Sequence, residues 1–235
     1  MTQASSGSGG RCAQSAPAVL IMAHAPRRGE VRRALEPVLG QSGCLALHTA
    51  LLLSTLSWAR DCGPRAIFLA HEPADAGGDF KRLTGSGVTL FPQNGDGIRG
   101  RIADGVVRVY KQSPGPVLVV WPDVPRLGPM HAAAALSDLR DGADLLIGPV
   151  YDGGYYLLGM QQPLPRMFIQ PEDTWRGRGS LTRVLAAAGK QGLQVGLLRA
   201  ERGLHNRADA TAALADPLLA EMIRRVLAQN LQGDR

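Results

Sequence analysis

Apolar residues in this chain fall into short unbroken runs separated by polar, glycine- and proline-rich stretches. Ala18–His24 (AVLIMAH) and Arg65–His71 (RAIFLAH) are runs of strand length. So is Pro116–Trp121 (PVLVVW), which stops at Pro122-Asp123. Runs that are apolar on both alternating faces predict strands covered on both sides. Val88–Phe91 predicts a further short strand. Ala143–Val150 and Tyr155–Met160 predict two more, flanking Asp152-Gly153-Gly154, and Leu193–Arg199 predicts a late one.

Helical spacing appears between these runs. Cys44–Arg60 is long and periodic, and Gly100–Gln112 alternates charged and apolar residues at helical intervals. Pro129–Arg140 places proline in a first turn, where its missing N–H costs nothing. Ser180–Ala188 starts at a residue suited to an N-cap. Ala208–Leu231 is helical with an interruption near Pro217. Strands alternating with helices predict an α/β fold of three layers, Rossmann-like, around a mostly parallel central sheet. The expected organisation is a disordered Ser/Gly-rich leader over residues 1–16 and a single domain over 17–235.

Composition refines this picture. The 235 residues are 45% hydrophobic and 20% charged, with 29 glycines and 16 prolines, which excludes collagenous and wholly disordered chains. The three cysteines form no C-x-x-C pattern and no disulfide framework. No apolar run approaches a membrane span and no signal core precedes the first strand, so a cytoplasmic protein without membrane or nucleic-acid partners is expected. The net charge is +6, and all but Lys81, Lys111 and Lys190 of the 26 basic residues are arginine. Guanidinium binds phosphate and carboxylate as a two-pronged fork, so clustered arginines point to an acidic or phosphorylated ligand. Scattered ones are ordinary surface charge.

In open α/β sheets ligands bind beyond the carboxyl ends of the strands. Three loops occupy such positions. The first, Ala25–Arg33, carries Arg27, Arg28, Arg32 and Arg33 around Gly29, either a diphosphate cradle or an exposed basic turn. It is neither a Walker loop nor a dinucleotide fingerprint. The second places Asp123 just after a buried strand, suited to Mg²⁺ or Mn²⁺ or to an Asx-turn. The third holds Asp152, Gly153 and Gly154 before Tyr155 and Tyr156, and reads as a tight turn or as an acidic group with close backbone approach. Among the histidines, His48 reads as structural and His131 as a cap or exposed. His71 ends a strand near the expected cleft, and His205 follows the last strand.

Three segments together carry a resemblance. They are His24-Ala25-Pro26-Arg27-Arg28-Gly29, Asp123-Val124-Pro125-Arg126-Leu127, and Gly148-Pro149-Val150-Tyr151-Asp152-Gly153-Gly154-Tyr155-Tyr156-Leu157-Leu158-Gly159. They resemble the glycosyltransferase A-like (GT-A-like) family of rSAM/selenodomain-associated transferases. That family is related in fold to molybdenum-cofactor and phospholactate nucleotidyltransferases. The likeness runs from about Ala18 to Leu214. Phe168 and Trp175 fall where the family has aromatics.

The resemblance implies a GT-A fold that binds a nucleotide or nucleotide-sugar with a divalent cation and passes a group to a small-molecule acceptor. It implies that Arg27, Arg28, Gly29, Arg32 and Arg33 hold phosphates, that Asp123 meets the metal or ribose, and that Arg101 matches a family arginine. Asp152, Gly153, Gly154 and Tyr155 would face the transferred group or acceptor, with Asp152 as the catalytic carboxylate. A nucleotidyltransferase releasing pyrophosphate, and a catalytically impaired nucleotide-binding or partner protein, are the alternatives.

The chain departs from the family pattern at several positions. His24 stands for a lysine, Ala34 for an arginine, and Arg99 for a glycine ahead of Arg101. Leu204-His205-Asn206 stands where the family has Asp-Val-Asp, leaving an amide oxygen at Asn206 and a ring nitrogen at His205 as neutral donors. Fewer carboxylates mean weaker Mg²⁺ or Mn²⁺ binding, so the expected cation is held weakly or dispensed with.

Overall fold

The structure is a computed structural model that describes residues 16–169 and 179–231. The expected leader lies outside the described residues apart from Ala16, and Trp175 lies outside them too. The strands are β1 (Ala18–His24), β2 (Ala66–Glu72), β3 (Val88–Pro92), β4 (Val117–Val120), β5 (Leu145–Pro149), β6 (Tyr155–Met160) and β7 (Val195–Leu197). The helices are α1 (Glu36–Asp61), α2 (Gly77–Thr84), α3 (Gly97–Gln112), α4 (Pro129–Arg140), α5 (Ser180–Lys190), α6 (Arg207–Leu214) and α7 (Glu221–Leu231). All seven strands form one sheet in the order β3-β2-β1-β4-β6-β5-β7. Strands β1 to β4 run parallel where they pair. Strand β6 is antiparallel to β4 and β5, and β7 is parallel to β5. The mostly parallel α/β sheet expected from the sequence is the one observed.

Alternation along β1 divides the core between two faces. Val19 and Ile21 pack with Leu52 and Leu56 of α1, Phe80 of α2 and Ala135 of α4. Leu20 and Met22 pack on the other side, with Ile102 and Val106 of α3 and Val184 of α5. Helix α1 is apolar nearly all round because it is buried twice. Its far face, with Leu47 and Leu51, meets Ile223 and Leu227 of α7. Arg33–Asp61 is in fact long and apolar enough to cross a membrane, unlike the sequence expectation, and half of its most apolar 18 residues are buried inside the fold. Double burial accounts for its composition.

The elements differ from expectation in informative ways. Helix α1 begins at Glu36 rather than Cys44, with a break at Gly40 (φ 64°, ψ 169°) that interrupts the helical pattern. Helix α2 was not expected. Its sequence opens on two glycines, poor helix formers, and only Phe80 and Thr84, one turn apart, are buried. Strand β7 keeps three residues of the longer run, because β5 offers it a partner only there. The C-terminal region splits into α6 and α7 around Pro217.

Strands β5 and β6 are antiparallel neighbours joined by a tight turn. Val150 N–H donates to the Gly154 carbonyl at 3.1 Å, and Gly153 N–H to Val150 at 3.0 Å. Gly148 lies against the buried Tyr156 ring, where a Cβ would come within 2.6 Å of Cζ. The described cysteines, Cys44 and Cys62, are free.

Candidate functional site

Chain order in the sheet reverses between β1 and β4, the place where open α/β sheets leave a crevice. Two adjoining hollows open there, of about 300 Å³ and about 370 Å³. They share His24, His48, Asp123 and His205. One hollow is part aromatic, lined by Met22, Ile98, Trp121, Asp152, Gly154, Tyr155 and Ser180. The other is lined by the Glu30–Leu35 segment and by Leu204.

Each wall has a local cause. Residues His24 and Trp121 stand at or just past the carboxyl ends of β1 and β4, so the sheet delivers them to the crevice. Trp121 meets Tyr155 of the neighbouring β6 edge-on, with centroids 5.5 Å apart. Asp152 closes an Asx-turn, its Oδ1 accepting from Gly154 N–H at 3.0 Å. Its Oδ2 lies 3.6 Å from His205 Nε2. Gly154 has little room for a side chain, since a Cβ would meet Val150 at 3.2 Å and Asp152 at 3.3 Å.

Arg32 is the organising cation. It is the one non-glycine among the described residues with positive φ (53°), a left-handed backbone that costs on the order of 1 kcal/mol or more outside glycine. The side chain is 8% exposed. Its guanidinium donates to the Pro122 carbonyl and, at 3.4 Å, to the Leu204 carbonyl. The same group lies 2.7 Å from Asp123 Oδ1. Leu204 N–H also donates to the Asp123 carbonyl at 3.1 Å, so the segments after β4 and β7 are tied twice.

His48 lies beneath, buried on α1, with Nε2 2.9 Å from the His24 carbonyl. A carbonyl only accepts, so Nε2 carries the proton. Burial, then the nearby Arg32 charge, push its pKa down to about 4. The ring is therefore a neutral donor that fixes the end of β1.

The expected site residues divide into two groups. Arg32, Arg33, Asp123, Asp152, Gly154 and Tyr155 line the crevice. Arg27 turns the other way, Nε 3.0 Å from Asp79 and Nη2 3.2 Å from Asp75, which raises its pKa. Arg28 is exposed, and Gly29 (φ 78°) serves the turn in which Glu30 N–H bonds the Arg27 carbonyl. Arg101 Nη1 pairs with Glu72, whose Oε2 also lies 3.4 Å from His24 Nδ1. Gly153 uses its carbonyl to accept from Leu181 N–H at 3.0 Å, anchoring the start of α5. None of Arg27, Arg28, Gly29, Arg101 and Gly153 lines either hollow. The four-arginine cluster is therefore split by the path of the chain.

His48, Trp121 and Ser180 line the crevice without having been expected there, alongside His24 of the first loop and His205, the neutral donor expected after the last strand. The signal for His24 and Trp121 was their place at strand ends; His48 lies on a helix and gave none. His71, which its strand end allowed to face the cleft, is instead buried and stacked on Phe80 with centroids 5.8 Å apart. His131 does cap α4, accepting from Gly128 N–H at 3.0 Å, and its Nε2 lies 3.1 Å from the buried Glu201. Phe168 is buried in the core.

The crevice does not present a ready-made divalent-cation site among the described residues. Among the described residues no group of three or more His, Cys, Asp or Glu is arranged to hold a metal ion. Asp123 faces Arg32. Asn206 spends its side-chain oxygen on Asp209 N–H at 3.0 Å, capping α6, so the amide donor expected there is already used.

Comparison with known proteins agrees with the fold. A provisionally named nucleotide-diphospho-sugar transferase from Desulfovibrio desulfuricans G20 superposes with a TM-score of 0.82 at 20% identity, covering 92% of this chain and 95% of that one. A 4-diphosphocytidyl-2C-methyl-D-erythritol synthase follows at TM-score 0.55 and 14% identity, covering 91% and 99%. CMP:2-keto-3-deoxy-manno-octonic acid synthetase, complexed with CTP, gives 0.51 and 10%, covering 91% and 99%. At these identities the likeness establishes a transferase-like fold. No curated protein matches in sequence. A family described as "Uncharacterized protein conserved in bacteria (DUF2064)" matches residues 55–172, half of the chain, and the chain belongs to that family.

Proposed function

We propose that the protein is a transferase that takes a nucleoside diphosphate-sugar and passes the sugar to a small hydroxyl-bearing acceptor. One observation carries this reading. A carboxylate, Asp152, stands beside His205 where the part-aromatic hollow joins the one lined by Arg32 and Arg33, at the strand-order reversal. The similar fold of nucleotide-using transferases and the resemblance to the rSAM/selenodomain-associated transferases support it.

In this reading the arginine-lined hollow receives the diphosphate, and Trp121 and Tyr155 give flat apolar surface to the sugar or base. Asp152 accepts the proton of the acceptor hydroxyl as its oxygen bonds the anomeric carbon. The bond from that carbon to the diphosphate breaks, and the electron pair goes to the leaving phosphate oxygen. Fixed cationic groups stabilise the charge that develops there.

Calorimetric titration of the full chain with nucleoside diphosphates and nucleotide-sugars, followed by product analysis, tests the proposal. Binding of one nucleotide and release of its diphosphate form are expected. Pyrophosphate release from a nucleoside triphosphate would make the protein a nucleotidyltransferase instead. Binding without turnover would leave a nucleotide-binding protein, and no binding would overturn the reading.

A further inference from the structure

We infer that the cation partner of Asp123 is the Arg32 guanidinium rather than a divalent metal ion, so that diphosphate binding in this cleft is independent of metal. The inference rests on the proposed nucleotide reading of the cleft, and extends it to the nature of the positive charge.

The geometry is specific. Asp123 is the carboxylate just past the end of β4, at the crevice, where a metal-dependent site would put its ligand. Its Oδ1 lies 2.7 Å from Arg32 Nη2, within a charge-assisted hydrogen bond. Arg32 is not a mobile surface side chain that a metal would displace. It is 8% exposed, bound to the carbonyls of Pro122 and Leu204, and carried on a left-handed backbone. Swinging away would leave a buried guanidinium and two carbonyls unpaired. A divalent ion bound at Asp123 would instead share one carboxylate with a fixed like charge. Among the described residues the remaining donors are engaged elsewhere: Asn206 is spent on its cap, and Asp152 accepts from Gly154 N–H and faces His205. The loops that a metal would bridge are already bridged by Arg32.

Two measurements on the full chain test this. Mn²⁺ alone is titrated and free Mn²⁺ followed by electron paramagnetic resonance; no stoichiometric uptake is expected, and stoichiometric uptake overturns the inference whether or not nucleotides bind. Nucleoside diphosphate affinity is then measured in EDTA and in Mn²⁺. It is expected to agree within about twofold, and a tightening of about tenfold or more with Mn²⁺ overturns the inference. Arg32→Met should weaken binding about tenfold in both conditions, but this buried residue also holds two loops. Asp123→Asn therefore supplies the independent arm. It frees the Arg32 charge and should strengthen diphosphate binding about threefold, whereas a metal ligand's loss would weaken it. Failure of every nucleoside diphosphate to bind refutes the nucleotide reading, and the Mn²⁺ titration still decides the metal question.

Discussion

The imidazole of His205 and the carboxylate of Asp152 face one another in the cleft, with Nε2 3.6 Å from Oδ2. Asp152 belongs to the β5–β6 turn and His205 to the segment after β7. The pairing brings an acceptor of protons to the cleft, beside the hollow that Arg32 and Arg33 line. If Asp152 takes the acceptor's proton, Asp152→Asn should lower kcat by about 10²- to 10⁴-fold. Nucleotide affinity should change less than about tenfold, since the amide keeps the shape of the Asx-turn. Single-turnover kinetics alongside calorimetry would separate the two, and unchanged kcat would remove Asp152 from the chemistry.

His48 gives the fold a pH dependence. Its ordinary pKa of 6.5 falls to about 4 in the folded protein, chiefly through burial. Between those values the unfolded chain binds more protons, so stability rises with pH through this window. The contribution is fully present above about pH 6.5 and is lost on acidification towards pH 4, by up to about 3 kcal/mol. Urea unfolding at a series of pH values should show this slope, and His48→Gln, which keeps a donor for the His24 carbonyl, should flatten it. Identical slopes in the two proteins would contradict the assignment.

The loop arginines should separate in function. Arg27 is engaged by Asp79 and Asp75, whereas Arg33 lines the cleft. Arg33→Ala should weaken nucleoside diphosphate binding about tenfold, and Arg27→Ala should leave it within about twofold. Equal losses in calorimetry would restore the arginine loop as one cradle.

Gly148 should be sensitive to its smallest substitution. A methyl group there meets Cζ of Tyr156 at 2.6 Å, and Tyr156 is held by its hydroxyl donating to the Arg199 carbonyl at 3.2 Å. Gly148→Ala should destabilise the protein by about 1–3 kcal/mol, read as a lower denaturation midpoint with unchanged slope. Gly78→Ala in α2, with nothing within 4 Å of its Cβ, should be neutral or stabilising by about 1 kcal/mol.

Much of the fold was legible in the chain because a buried strand must be apolar on both faces, and that requirement is local. Ala18–His24, Pro116–Trp121 and Tyr155–Met160 announced themselves in this way. Helix α2 did not, because it is short, opens on two glycines and carries few apolar residues. The antiparallel course of β6 left no mark in its composition, since both of its faces are covered as in a parallel strand.

By itself the sequence determined the α/β class, most of the strands, and three loops at which a ligand should be sought. It determined that arginine and aspartate dominate those loops. Only the tertiary structure decided which of them meet. Arg32 reaches Pro122, 90 positions away, and Leu204, 172 away, while Arg27, five residues earlier, turns to α2. Such contacts depend on strand order and on one left-handed backbone turn at Arg32. Neither is written in the identity of the arginines themselves, because charge complementarity is satisfied by any nearby carboxylate and the fold selects which one is near.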